Sequence, residues 1–222
     1  MFEASPCVSD PETLAFSQRD RWWPPKSFSA RRRSDAEVAY WTGPLTAIEG
    51  RRVLLLADVE NLSCSARDLG FRLSYGTLGQ TLRQASESCH LHAFFSRRPG
   101  DDRRVRYFAS RGWVPHPWDI QTVRVRGEMR AMANSDNQML FFGGVLFNGS
   151  AAEVIVVASG DGSLVTCDLA RAVAIIDPGR SMVTMSLAGS TSRRLDAQAN
   201  PDIAANIEIG RDCLREMKRA WS

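Results

Sequence analysis

Val-Ile-Val-Val-Ala at residues 154–158 is the segment that most restricts the fold. Its five residues are all apolar and four are β-branched, which suits a strand and is too short for a typical helix. A strand apolar at every position has both faces covered, the condition of a central strand in a parallel sheet with helices above and below. Arg52–Ala57 has the same character. His90–Phe95, Trp113–Trp118 with Thr122–Val125, and Met182–Leu187 read as further strands. Helical spacing separates them: after a polar turn over Asp58–Ser65, a helix through Leu78, Leu82 and Ala85, then Asp101–Arg111 stopped by Gly112, Ala133–Phe147 and Leu164–Ile176. This alternation predicts an α/β domain of three layers, with a central, mainly parallel sheet flanked by helices.

Residues 1–50, rich in Pro, Ser and Arg and without a sustained period, read as an N-terminal extension; the α/β domain is expected over 51–190. Residues 191–222 read as a loop and a C-terminal helix with Ile203, Ile207, Leu214 and Met217 on its apolar side. Trp22, Trp23, Phe28, Tyr40 and Trp41 of the extension would dock on the domain, hold a protein partner or stack on bases. No apolar run approaches the ~18 residues of a membrane helix, and the first residues lack the pattern of a secretory signal. A cytoplasmic protein without membrane contact is expected.

The five cysteines form no C-x-x-C pair, so neither a disulfide framework nor a zinc ribbon is supported. Cys89, His90 and His92 share one strand-like run, where alternation is expected to set His90 on the face opposite the other two. The net charge is only +3, yet apart from Lys26 and Lys218 every basic side chain is arginine. The groups Arg31-Arg32-Arg33, Arg97-Arg98, Arg103-Arg104-Arg106 and Arg124-Arg126-Arg130 would follow a nucleic-acid backbone or form solvated faces.

In an open parallel sheet the loops after the strands' carboxyl ends converge on one crevice, so polar residues placed directly after strands are the first site candidates. Two places meet that condition: Asp58-Val59-Glu60-Asn61 and Ser159-Gly160-Asp161-Gly162-Ser163. If their strands are neighbours, two carboxylates face one crevice, and a divalent cation is the common way to neutralise them. The same side chains also serve as ordinary helix caps and turn residues.

These residues resemble the NYN nucleases of the PIN-like superfamily of metal-dependent ribonucleases. Leu54–Leu62, LLLADVENL, is similar to the family's strand ending in Asp-x-x-Asn, and Ile155–Leu164, IVVASGDGSL, to its strand followed by Ser-Gly-Asp-x-Asp-Phe. Asn134–Leu140 stands where the family has an acidic residue opening a helix. The resemblance covers about Arg52 to Leu187. It implies a PIN-like, Rossmann-like fold and an endoribonuclease in which Asp58, Asp136 and Asp161 hold Mg²⁺ or Mn²⁺ and carry catalysis. Asn61, Ser159, Ser163, Arg97 and Arg126 are the candidates for substrate contact, and RNA is the implied substrate. Ser163 stands where the family has a further acid, and Asp168 is a weak substitute for it.

Three other readings compete. A catalytically degraded PIN-like domain would bind RNA or protein without cutting. Ser-Gly-Asp-Gly-Ser also looks like the phosphate loop of a kinase-like domain, a reading that leaves Asp58 and Asn61 unexplained. The extension would alternatively act as an interaction module, and a homodimer is compatible with all of these.

Overall fold

Val53, Leu55 and Ala57 project to one side of the first strand and Leu54 and Leu56 to the other, and all five are essentially without solvent exposure. The computed structural model describes residues 45–125, 128–132, 135–162 and 164–217, apart from the side chains at 125, 130–132, 135–137 and 164–166. The elements are β1 (Arg52–Asp58), α1 (Val59–Asp68), β2 (Phe71–Leu73), α2 (Tyr75–Ala85), β3 (Ser88–Arg97) and α3 (Arg103–Ala109). They continue with β4 (Val114–Asp119), β5 (Gln121–Val125), β6 (Glu128–Met132), α4 (Ser135–Asn148), β7 (Val154–Ala158), α5 (Leu164–Ile176) and β8 (Ser181–Leu187). After a 3-10 turn at Arg193–Leu195 come β9 (Ala205–Ile209) and β10 (Leu214–Glu216).

Six strands form the central sheet in the order β4-β3-β1-β7-β8-β9, and every neighbouring pair is parallel. In chain order of the sheet strands this is 3-2-1-4-5-6, the Rossmann arrangement, whose order reverses between β1 and β7. Leu62, Leu78, Leu82 and Phe108 of the first three helices share a core with Val53, Leu55 and Phe95. Met139 and Phe147 of α4 and Ala170 and Val173 of α5 pack with Leu54, Leu56 and Ile155 on the opposite face. Each fully buried Leu or Ile side chain contributes about 1.5–3 kcal/mol, so these two layers carry the fold. At Gly143, α4 lies against β1 with no room for a side chain, since a Cβ there would lie 2.3 Å from Leu56 Cδ1. Edge strand β4 contains Pro115 and Pro117, paired against Ala93 and Phe95 of β3.

Four expectations need correction. α1 begins at Val59, directly after β1, because the Asp58 side chain caps it by accepting the Asn61 N–H at 3.0 Å. Thr122–Val125 does not extend the third strand; it lies in β5, which forms an antiparallel hairpin with β6. The expected C-terminal helix of 191–222 is β9, a 3-10 turn at Arg211–Cys213, and β10 paired with β2, as far as Glu216. Ile207 and Ile209 are buried two apart while Asn206 and Glu208 are only partly so, a strand period inside spacing that also fitted a helix. The domain therefore runs past residue 190, and it starts before 51, since Ile48 is wholly buried in the core. Trp22, Trp23, Phe28, Tyr40, Trp41 and Arg31-Arg32-Arg33 lie outside the described residues.

The fourth concerns the histidines: His90 and His92 share the α4 side of β3, and Cys89 packs with the other core. His92 Nδ1 and His116 Nε2 are 2.8 Å apart, a hydrogen bond that needs at least one neutral ring, and Phe94 stacks on His116. Burial, together with the nearby His116 and His90, lowers the His92 pKa to about 4, and burial lowers that of His116. Unfolding returns both rings to water, where they take up protons below about pH 6.5. Stability is therefore complete above that value and is lost as the pH falls toward 4, by at most about 3 kcal/mol from His92. Urea midpoints at about pH 7 and about pH 4.5 check this. A His92→Phe variant flattens the difference; an unchanged difference would mean that other groups cause it.

Candidate active site

Ladder register sets the site. Ala57 of β1 pairs with Ala158 of β7, so Asp58 and Ser159 stand level at the carboxyl edge of two adjacent strands, at the point where the strand order reverses. Asp58 is buried, at 7% exposure, and both of its oxygens accept hydrogen bonds. Oδ1 takes the Asn61 N–H at 3.0 Å and Oδ2 takes the Ser159 hydroxyl at 3.2 Å. The same hydroxyl accepts the Asp161 N–H at 3.3 Å, which brings the Asp161 backbone within two hydrogen-bond lengths of the Asp58 carboxylate. Asn61 completes the tie: its Oδ1 accepts the Gly160 N–H at 2.8 Å. Residues about a hundred positions apart in sequence thus form one hydrogen-bonded unit.

The glycines fix the β7 loop against the loop after β8. A Cβ on Gly160 would lie 2.4 Å from the Ser190 carbonyl oxygen, and one on Gly162 would lie 2.2 Å from Ser192 Oγ. The Ser192 N–H donates to the Gly160 carbonyl at 3.0 Å, so the two loops are laced together. The requirement at both positions is the absence of a side chain, since neither has a positive φ. The hydroxyl-rich run Gly189–Ser192 was missed in the sequence, although the rule that found the other two loops, polar residues directly after a strand, applies to it equally.

Glu60 and Arg104 were also missed as a pair. Glu60 Oε1 accepts the Ser96 N–H at 3.1 Å and the Arg104 guanidinium at 2.7 Å, which ties α1 to the end of β3 and to α3. Oε2 is buried and accepts no hydrogen bond from the described residues. Burial raises the Glu60 pKa, and Arg104 and the Ser96 N–H oppose the rise.

The remaining candidates divide. Asp136 is the second residue of α4, which ends near the strands' amino edge, where Arg180 donates to the Phe147 carbonyl at 2.6 Å. Its backbone therefore lies toward the carboxyl edge; its side chain is outside the described residues. Arg97 sits at that edge, held by Asp119 at 2.7 Å and by Asp102, so phosphate would have to displace carboxylates already bound. Ser159, 2% exposed, positions Asp58 and Asp161. Ser163 and Arg126 lie outside the described residues, and Asp168 is an exposed residue of α5.

Asp58, Asp161 and the Ser159 hydroxyl are hard oxygen donors of the kind that Mg²⁺ and Mn²⁺ take. Among the described residues no group of three or more His, Cys, Asp or Glu side chains is placed to hold a metal ion; the side chain of Asp136 is not among those described.

Fold and site together define a Rossmann-like three-layer α/β protein with a hydrogen-bonded cluster of Asp58, Asn61, Ser159 and Asp161 at its topological switch point. No family model and no curated protein matches the chain. The crystal structure of a Vibrio parahaemolyticus protein of unknown function is similar at a TM-score of 0.57 and 16% identity, over 75% of this chain and 98% of that one. That likeness concerns the fold alone. Among the described residues no helix is long and apolar enough to cross a membrane.

Proposed function

We propose that this protein is a metal-dependent ribonuclease of the NYN, PIN-like kind, working at the crevice between β1 and β7. One observation carries the reading: Asp58, Asn61, Ser159 and Asp161, drawn from two distant motifs, form a single hydrogen-bonded unit at the carboxyl edge of the sheet. Helix caps alone do not require that unit. Asp58 and Asp161, with Asp136 at the start of α4, would hold Mg²⁺ or Mn²⁺. Such an ion polarises a phosphodiester and lowers the pKa of a bound water.

This chain's own residues set the geometry. The Ser159 hydroxyl and the Asn61 N–H orient the Asp58 carboxylate, and the Asn61 side chain holds the Asp161 loop across the crevice. Exposed Arg124 in the β5–β6 hairpin, Arg126 and Ser163 would meet the RNA backbone, and Arg97 would do so by exchanging Asp119 or Asp102 for phosphate. A cytoplasmic location, a protein partner of the N-terminal extension and a homodimer are compatible with this reading.

The test is incubation of the protein with labelled single-stranded and structured RNA, with Mn²⁺, with Mg²⁺ and with chelator, beside an Asp58→Asn/Asp161→Asn double variant. Cleavage is expected to need metal and to vanish in the variant. Persistent inactivity of the wild-type protein with RNA still bound would replace the nuclease by an RNA-binding domain of the same fold.

A further inference from the structure

On the other side of α1 from Asn61 lies a second feature that the acidic crevice does not use. A cavity of about 350 Å³ opens between α1, β2, α3 and Met217. Arg67, Arg72 and Arg104 line it, with the Ser63 hydroxyl and the rings of Phe71 and Tyr107, and among the described residues no acidic one does. Arg104 is matched by Glu60, whereas Arg67 and Arg72 make no ion pair with a described residue. Both are exposed, and Tyr107 is 37% exposed, so the cavity is accessible from outside.

Tyr107 and Phe71 each already carry one guanidinium that does not line the cavity. The Arg111 guanidinium lies 3.8 Å from the Tyr107 ring centroid, and that of Arg211 lies 5.4 Å from the Phe71 centroid. Unmatched guanidinium groups call for an anion with several acceptor oxygens, and phosphate suits their planar forks. Aromatic rings beside them call for a flat, polarisable group on the same ligand. A nucleotide joins both in one molecule. The position favours a nucleotide within a strand: Arg67 lies nine residues along α1 from the Asp58 cap, about 13 Å by helical rise, so one short oligonucleotide reaches both places.

We propose that this cavity is a nucleotide subsite that holds one base and its phosphate of a single-stranded RNA, through Arg67 and Arg72 and through stacking on Tyr107. The inference rests on RNA being the substrate class, and not on cleavage.

The experiment is fluorescence anisotropy of a labelled RNA hexamer titrated with the full chain in chelator, over a salt series. Variants are Arg67→Glu/Arg72→Glu, Tyr107→Ala and, as a control on the opposite face of the sheet, Arg171→Glu in α5. The double variant is expected to bind at least ~10-fold more weakly and to flatten the log-log salt slope by about 0.7, for the one phosphate no longer neutralised. Tyr107→Ala is expected to weaken binding about 5-fold or more, and Arg171→Glu by less than ~2-fold. Thermal unfolding checks that each variant is folded.

Unchanged affinity in the cavity variants, an equal loss in Arg171→Glu, or no RNA binding by the wild-type protein would each overturn the subsite. Binding that depends on the cavity without any cleavage leaves the subsite standing and removes the nuclease. Metal-dependent cleavage with binding indifferent to the cavity does the reverse.

Discussion

Asp58→Asn is expected to keep the fold and lose at least ~100-fold in metal-dependent RNA cleavage. The two roles of Asp58 make this separable. As an N-cap it holds the Asn61 N–H, and asparagine caps as well as aspartate does. As a carboxylate it faces the Asp161 loop through Ser159, and asparagine carries no charge to offer a cation. Asp58→Ala removes both functions and should also cost about 1 kcal/mol of stability from the cap. Cleavage rates beside urea midpoints distinguish the variants. Full activity in Asp58→Asn would show that the residue is a cap and nothing more.

Phe95→Ala is expected to give the largest loss of stability, about 3–5 kcal/mol, or roughly 10 °C in Tm. The ring is wholly buried beneath α3 and stacks on Phe108 at 5.4 Å between centroids. Truncation leaves a hole at the level of Ala93 and Tyr75, in a layer where neighbouring rings also meet edge to face. A loss below about 1 kcal/mol in chemical denaturation would mean that the α3 layer packs more loosely than described.

The central strands were legible because short β-branched runs such as Val154–Ala158 suit a strand, and α5 was legible because its apolar stretch, closed by Asp177-Pro178-Gly179, is too long for a typical strand. The carboxyl-edge residues were legible by the same logic, since they follow those strands directly. What failed was local. The spacing of Ile203, Ile207, Leu214 and Met217 fits a helix as well as two short strands, and only pairing with β8 and β2 decides between them. α1 was read late because a polar segment gives little periodicity, and its start is fixed by one cap. The Ser190–Ser192 buttress was invisible because its importance lies in what it denies Gly160 and Gly162, a relation made only by the fold.

Edge strand β4 has a consequence for assembly. In a parallel ladder alternate residues present their N–H groups to opposite sides, and Pro115 and Pro117, two apart, share one side. Pairing with β3 continues through both positions, so the missing donors face outward. An incoming strand would find carbonyl oxygens there without the N–H groups needed to complete a ladder. The central sheet is thereby closed to growth at that margin, and strand addition between two copies would fall to the β9 margin or to the small β2–β10 and β5–β6 ladders instead.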